Sequence, residues 1–378
     1  MRSIAVNPMF DNIPDIEEWE RRLAAIERIV REEEEDIPRD DIPLGDAQGP
    51  PEADYDALAK YSPRDKIWDR HKGYNDVVRD IYINYGGNEK HISRMYECAQ
   101  ELAFVWGYRD GGEDGSVERR LRLHSANFCH VRGCPVCAWR RSLKMKALAM
   151  QRLPEIMAEY PAYRFIFMTL TVRNCDVSDL GSTLKMMSKA WERFRHRKEF
   201  SIVRGWFRSL EFTRGQDGDM RVHPHYHIIL HVPSNYFGDG YVRQSAWCQA
   251  WKEAARLDYM PQVDIRAVKK GQEENSVKET FKYTVKEADI KDMLDGMDAW
   301  YVRVFEQLAN VKFHTSSGTL KNLASDIKPR NKDGEGEEED LIHIGEGVPE
   351  EILDMSRPLN FQWYQQAKKY RRSGNDDR

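Results

Sequence analysis

The alternation of apolar and polar positions marks a block of strands in the middle of the chain. Residues 163–173 (YRFIFMTLTVR) are β-branched and aromatic, which predicts a strand. Residues 203–214 and 220–232 predict two more, and the loop RGQDGD between them has the Gly and Asp content that closes a hairpin. Apolar residues at helical spacing predict helices over 179–200, 244–257 and 274–287, with a further strand over 260–268. Strands and helices mixed around an antiparallel hairpin argue for an α+β unit over residues 161–312, not a doubly wound parallel sheet.

On either side the pattern changes. Residues 66–102 read as helical with scattered aromatics, a cysteine-rich loop follows, and 138–159 reads as helix, which together predict a small helical, metal-bound module over 61–160. Residues 1–60, with the REEEED run and a proline-rich stretch, lack the apolar content for a core and read as a largely disordered acidic segment. A helix is expected beyond Trp300. Residues 313–378 read as an acidic linker (NKDGEGEEED) and a tail ending in WYQQAKKYRRSGNDDR, a short, solvated basic helix.

Charge refines this picture. The net charge of -5 over 378 residues conceals roughly -10 in residues 1–60 and roughly -5 in residues 331–378, which leaves about +10 for the middle. A basic body between acidic ends suits a phosphate-backbone partner. No stretch approaches the ~18 apolar residues of a membrane span, and the start has neither a basic nor an apolar leader pattern, so the expectation is a cytoplasmic protein with no membrane partner.

The candidate chemistry begins on the strand RVHPHYHIILH. Residues at even spacing share a face of a strand, so His223, His225, His227 and His231 project one way while Tyr226, Ile228 and Leu230 project the other. Imidazoles at i and i+2 on a rigid strand converge on a divalent cation, and a hard Mg²⁺ or Mn²⁺ ion also wants oxygen. If the hairpin turns near Asp217, Glu211 falls across from positions 223 to 225 and becomes the candidate carboxylate ligand.

A second constellation lies in residues 274–287. Val277, Phe281, Val285 and Ala288 define a buried stripe, whereas Glu279 and Tyr283 stand at i and i+4 away from it with Lys286 one turn on. A phenol near pKa 10 attacks a phosphodiester only with help from a metal and a nearby cation that favours phenolate. Taken alone, E-x-x-x-Y is common; its weight comes from following the histidine strand.

Cys129, Cys134 and Cys137 fall within nine residues, a spacing that favours metal over disulfides in a cytosolic chain. Tetrahedral Zn²⁺ needs a fourth ligand, for which His124 leads and His130 or Cys98 are alternatives. Cys98, Cys175 and Cys248 otherwise read as buried small hydrophobes. Arg132, Arg140 and Arg141 around the cluster suit phosphate contacts as well as a simple structural staple.

Together these pieces resemble the rolling-circle replication initiators of plasmids, in the HUH endonuclease superfamily, and in particular the group with one catalytic tyrosine and an auxiliary glutamate. The matching segments are CHVRGCPVC, MTLTVRN, SLEFT, HPHYHIIL and KETFKYTVK, in the family's order over roughly residues 120–290. The resemblance implies the HUH fold for 161–312, a central antiparallel sheet of about five strands flanked by helices. It implies His225 and His227 as metal ligands with Glu211 as partner, and His223 as a weaker candidate. It also implies Tyr283 as the nucleophile that takes the 5′ phosphate at a nick in single-stranded origin DNA, and Glu279 as the residue that activates water at termination. No GxxxxGK[ST] motif is present, so helicase and polymerase are expected from the host. Two rivals remain: a single-tyrosine HUH transposase or relaxase, and a non-enzymatic zinc-containing repressor, which would bind DNA and cleave nothing.

Overall fold

The computed structural model describes residues 56–110, 117–215, 220–269, 271–273, 298–308, 311–323, 341–342, 344 and 352–373. Six strands form the larger sheet: β3 (Tyr163–Thr171), β4 (Cys175–Asp176), β5 (Gly205–Arg214), β6 (Arg221–Pro233), β7 (Val263–Ala267) and β8 (His314–Gly318). Five of them run in the order β7-β3-β6-β5-β8, and the short β4 pairs with β6. All pairings are antiparallel. The fold class is α+β, as the strand and helix pattern predicts.

Helices cover this sheet unequally. On the face of Tyr226, Ile228 and Leu230 lie α4 (Leu180–Arg195) and α5 (Gln244–Ala255). Trp191 packs edge-on to Trp206 and Phe200, and Phe194 meets Trp247 and Trp251. Each fully buried aromatic of this kind contributes about 1.5–3 kcal/mol, enough to anchor the sheet from one side. The opposite face is covered only at one end among the described residues. There α3 (Pro135–Glu159) sets Met150, Leu153 and Ile156 with Phe165, Phe207 and Ile229. His231 belongs to that covered end, stacked on Phe165 with centroids 4.6 Å apart, and burial lowers its pKa to about 4. The remainder of the face is left for polar side chains.

A second sheet departs from the sequence expectation. β1 (Glu101–Asp110), β2 (Val117–Ala126), β9 (Ile352–Tyr364) and β10 (Lys369–Arg372) form it in the order β10-β9-β1-β2. The helical reading of 66–102 holds only for α1 (Ile67–Asn84) and α2 (Glu89–Glu97), the latter capped by Asn88, whose Oδ1 accepts from the amides of Lys90 and His91. The basic helix expected at the C-terminus is instead the β9–β10 hairpin. Its Phe361, Trp363 and Tyr370 are buried in one core with Trp68 and Phe104, and Leu102 pairs with Phe361. Long-range burial of three aromatics overrides the helical propensity of Gln and Lys. Residues 313–318, read as the start of a linker, supply β8.

The helix expected beyond Trp300 is α6, which begins two residues earlier (Asp298–Glu306). The helix expected over 274–287, most of residues 1–60 and the NKDGEGEEED segment lie outside the described residues. No described helix is long and apolar enough to cross a membrane.

Candidate metal centre on the open sheet face

The hairpin register brings three side chains together. Glu211 on β5 lies directly opposite His225 on β6, and His227, two residues on, projects from the same face. Glu211 Oε2 is 2.7 Å from His227 Nε2 and 3.6 Å from His225 Nε2, and both Glu211 and His225 are buried. Glu211, His225 and His227 thus form a group whose ligand atoms all lie within 4.8 Å of one another.

Hydrogen bonds at the far side of each ring decide what this group can hold. His225 Nδ1 lies 3.2 Å from the carbonyl of His223, which can only accept, so Nδ1 carries the proton. As a neutral imidazole in this tautomer, His225 presents its Nε2 lone pair toward the Glu211 carboxylate 3.6 Å away, the arrangement of two donors to one cation. His227 Nδ1 lies 3.2 Å from Thr169 Oγ1 on β3, a contact that holds the ring with Nε2 toward Glu211. For bonds of ~2.1 Å, neighbouring donors of an octahedral cation sit ~3.0 Å apart, close to the observed spacings. Two nitrogens and one oxygen on a rigid hairpin fit a divalent cation with positions left for a phosphate. His223 is not in the group; its Nδ1 is 2.7 Å from Asn174 Oδ1.

Thr169 gives a direct test. Thr169→Val keeps the shape and removes the hydroxyl, so it should weaken Mn²⁺ binding ~10–100-fold, as loss of an outer partner of a metal-bound histidine does. Calorimetric titration of the variant with Mn²⁺ reads this directly, and unchanged affinity would mean that Thr169 does not orient His227.

A second cluster lies at the N-terminal end of α3. Cys134 caps the helix, Pro135 opens it, and Cys137 stands in its first turn. Cys98, from the turn between α2 and β1, joins them with Cys129. Sγ–Sγ separations are 3.6 Å for Cys98–Cys137, Cys129–Cys137 and Cys98–Cys134. A tetrahedron with Zn–S bonds of about 2.3 Å has edges of ~3.8 Å, so the four sulfurs have the size of a Zn²⁺ site. The fourth position belongs to Cys98, not to His124, which lies exposed on β2, nor to His130. Buried Lys72 holds the turn by donating to the carbonyls of Cys98 (2.7 Å) and Tyr96 (3.2 Å). Burial pushes the Cys129 and Cys134 thiols up, so a metal entering here must displace protons.

Tyr283, Glu279 and Lys286 lie outside the described residues. The chain beyond them is anchored beside the histidine strand. Trp300 Nε1 donates to the carbonyl of Arg221 (2.9 Å) at the start of β6, and Tyr301 Oη donates to the carbonyl of Gly133 (2.6 Å) in the cysteine loop. The other end leaves β7, two strands from β6.

Comparison with known proteins places these features in a family. A family model described as a replication protein matches residues 120–371. Protein rep of Streptococcus pneumoniae serotype 2 is 37% identical over 230 residues, covering 59% of this chain and 68% of its own. Protein rep of Bacillus amyloliquefaciens is 33% identical over 317 residues, covering 79% and 88%. A Bacillus sp. Protein rep is 33% identical over 276 residues, covering 68% and 85%. No solved structure matches the chain. A match that runs from within β2 through the histidine strand to β10 takes in the whole larger sheet and the cysteine loop, and the chain belongs to the Rep family of plasmid replication initiators.

Proposed function

We propose that this initiator nicks single-stranded DNA at the plasmid double-strand origin by transesterification, using Tyr283 as nucleophile beside a Mn²⁺ or Mg²⁺ ion held by Glu211, His225 and His227. The observation that carries the reading is the convergence of the Glu211 carboxylate, His225 and His227, whose ligand atoms all lie within 4.8 Å of one another on the sheet face. A bound divalent ion supplies Lewis-acid polarisation of the scissile phosphodiester.

The chain's own residues do the rest. The Tyr283 oxygen attacks phosphorus, a Tyr–O–P bond forms to the 5′ side, the P–O3′ bond breaks, and the 3′ oxygen leaves with a proton as the primer hydroxyl. Lys286, three residues on in the sequence, favours the phenolate by its charge. Glu279, four residues before Tyr283 in the sequence, accepts a proton from water in the terminating cleavage, so the last product is released instead of captured by a second tyrosine. The Cys98, Cys129, Cys134 and Cys137 cluster holds structural Zn²⁺ and fixes the start of α3, whose far end packs on the sheet face that carries the metal ligands. The substrate is extruded origin DNA, since an in-line attack by a protein side chain is hindered inside a duplex. Host helicase and polymerase continue from the 3′ hydroxyl.

The test is cleavage of labelled single-stranded origin DNA on denaturing gels, with Mn²⁺ and with chelator. Cleavage that appears with Mn²⁺ and disappears with chelator is the expected result. Binding without cleavage in any divalent metal would favour a repressor.

A further inference from the structure

The polar face of the large sheet extends past His225 to a corner formed by β3 and the turn before β7. Thr171 pairs with His225, so Arg173, two residues or ~6.6 Å further along the strand direction, stands at about the level of His223. The Arg173 guanidinium lies over the ring of Tyr259, with Cζ 3.8 Å from the centroid. The backbone amide of Arg173 donates to Tyr259 Oη at 2.7 Å, and the Thr171 hydroxyl donates to the carbonyl of Gln262 at 2.9 Å. Two hydrogen bonds therefore fix the turn to the end of β3. The Arg173 side chain is 66% exposed, and Asp258, 3.7 Å away, is 85% exposed, so water screens their attraction.

An exposed planar cation and a half-buried aromatic ring, held together beside a phosphodiester-handling centre, have the chemistry of a base-stacking platform. Every nucleobase offers a π-face, and both guanidinium and phenol planes accept one. We propose that Arg173 and Tyr259 form a stacking subsite for one nucleobase of the single strand, adjacent to the phosphate positioned at Glu211, His225 and His227. This rests on the nicking function proposed above. The subsite sets where along the strand the scissile phosphate comes to rest; Asn174, next to Arg173 in the chain, contacts His223 (2.7 Å), whose ring centroid lies 5.4 Å from that of His225.

The experiment measures binding of a labelled single-stranded oligothymidylate by the full chain in chelator, and nicking of origin DNA in Mn²⁺. Tyr259→Ala should weaken strand binding ~10-fold, with an unchanged dependence on salt because no phosphate contact is lost. Tyr259→Phe keeps the ring while losing the hydrogen bond from the Arg173 amide, and should bind the strand more tightly than Tyr259→Ala. Arg173→Ala, at an exposed side chain with little effect on folding, should weaken binding comparably to Tyr259→Ala. Wild-type affinity in both alanine variants would overturn the proposal, as would a Tyr259→Phe variant as weak as Tyr259→Ala. Binding is read without metal, so a wild-type protein that binds the strand but does not nick it in Mn²⁺ defeats the nicking function and not the stacking subsite.

Discussion

Glu211→Gln should abolish the response to Mn²⁺ while leaving the fold intact. The wild-type carboxylate faces two imidazole nitrogens within 3.6 Å, and a cation between them stabilises the native state by mass action, so the melting temperature rises with Mn²⁺ concentration. Glutamine has the same size, but its amide can donate to His227 Nε2, which satisfies the site without a metal. The variant should therefore melt in chelator at or above the wild-type temperature and gain nothing from Mn²⁺. Nicking should fall ~10²–10³-fold, the equivalent of the several kcal/mol that a bound cation contributes to a phosphoryl transition state. A Gln variant whose melting still rises with Mn²⁺ would place the metal elsewhere.

Cys98→Ser should have the largest effect on stability. Structural Zn²⁺ contributes apparent free energies of roughly 10–16 kcal/mol in small domains, as much as the whole ~5–15 kcal/mol by which a domain is stable, so loss of one thiolate cannot be absorbed locally. Cys98 ends the turn that follows α2 and precedes β1, and Cys134 and Cys137 open α3, so the cluster ties helices and both sheets together. Zinc content should drop from one ion per chain towards none, and melting should shift down by far more than in Cys248→Ser, whose thiol lies outside the cluster. Cys98→Ser protein that retains one zinc with unchanged resistance to chelator would exclude Cys98 as a ligand.

The parts of the fold that were legible in the sequence are those set by local pattern. The β5–β6 hairpin has a period-2 alternation on both sides of a Gly and Asp loop, and a one-residue slip would turn its histidines into the helix-covered core. That constraint alone put Glu211 across from the histidines, and the observed partner is His225. The second sheet was illegible as a sheet because its two hairpins, β1–β2 and β9–β10, join only where β1 meets β9, some 250 residues away. Nothing local in WYQQAKKYRR distinguishes a hairpin from a helix until Trp363 and Tyr370 find the core around Trp68. Cys98 stood only as an alternative to His124 for the same reason. It stands 31 residues before Cys129, outside any compact ligand spacing, and only the turn held by Lys72 brings it to the cluster. The Arg173–Tyr259 stack likewise joins residues 86 apart, which no local motif announces.

The central claim is tested most directly by locating the covalent bond. The protein is incubated with single-stranded origin DNA and Mn²⁺, digested with nuclease and protease, and the nucleotide-bearing peptide is sequenced by mass spectrometry. A 5′-phosphate ester on Tyr283, absent with chelator and absent in Tyr283→Phe, is the predicted result. An adduct on another tyrosine, Tyr259 included, or cleavage with no adduct at all, would contradict it.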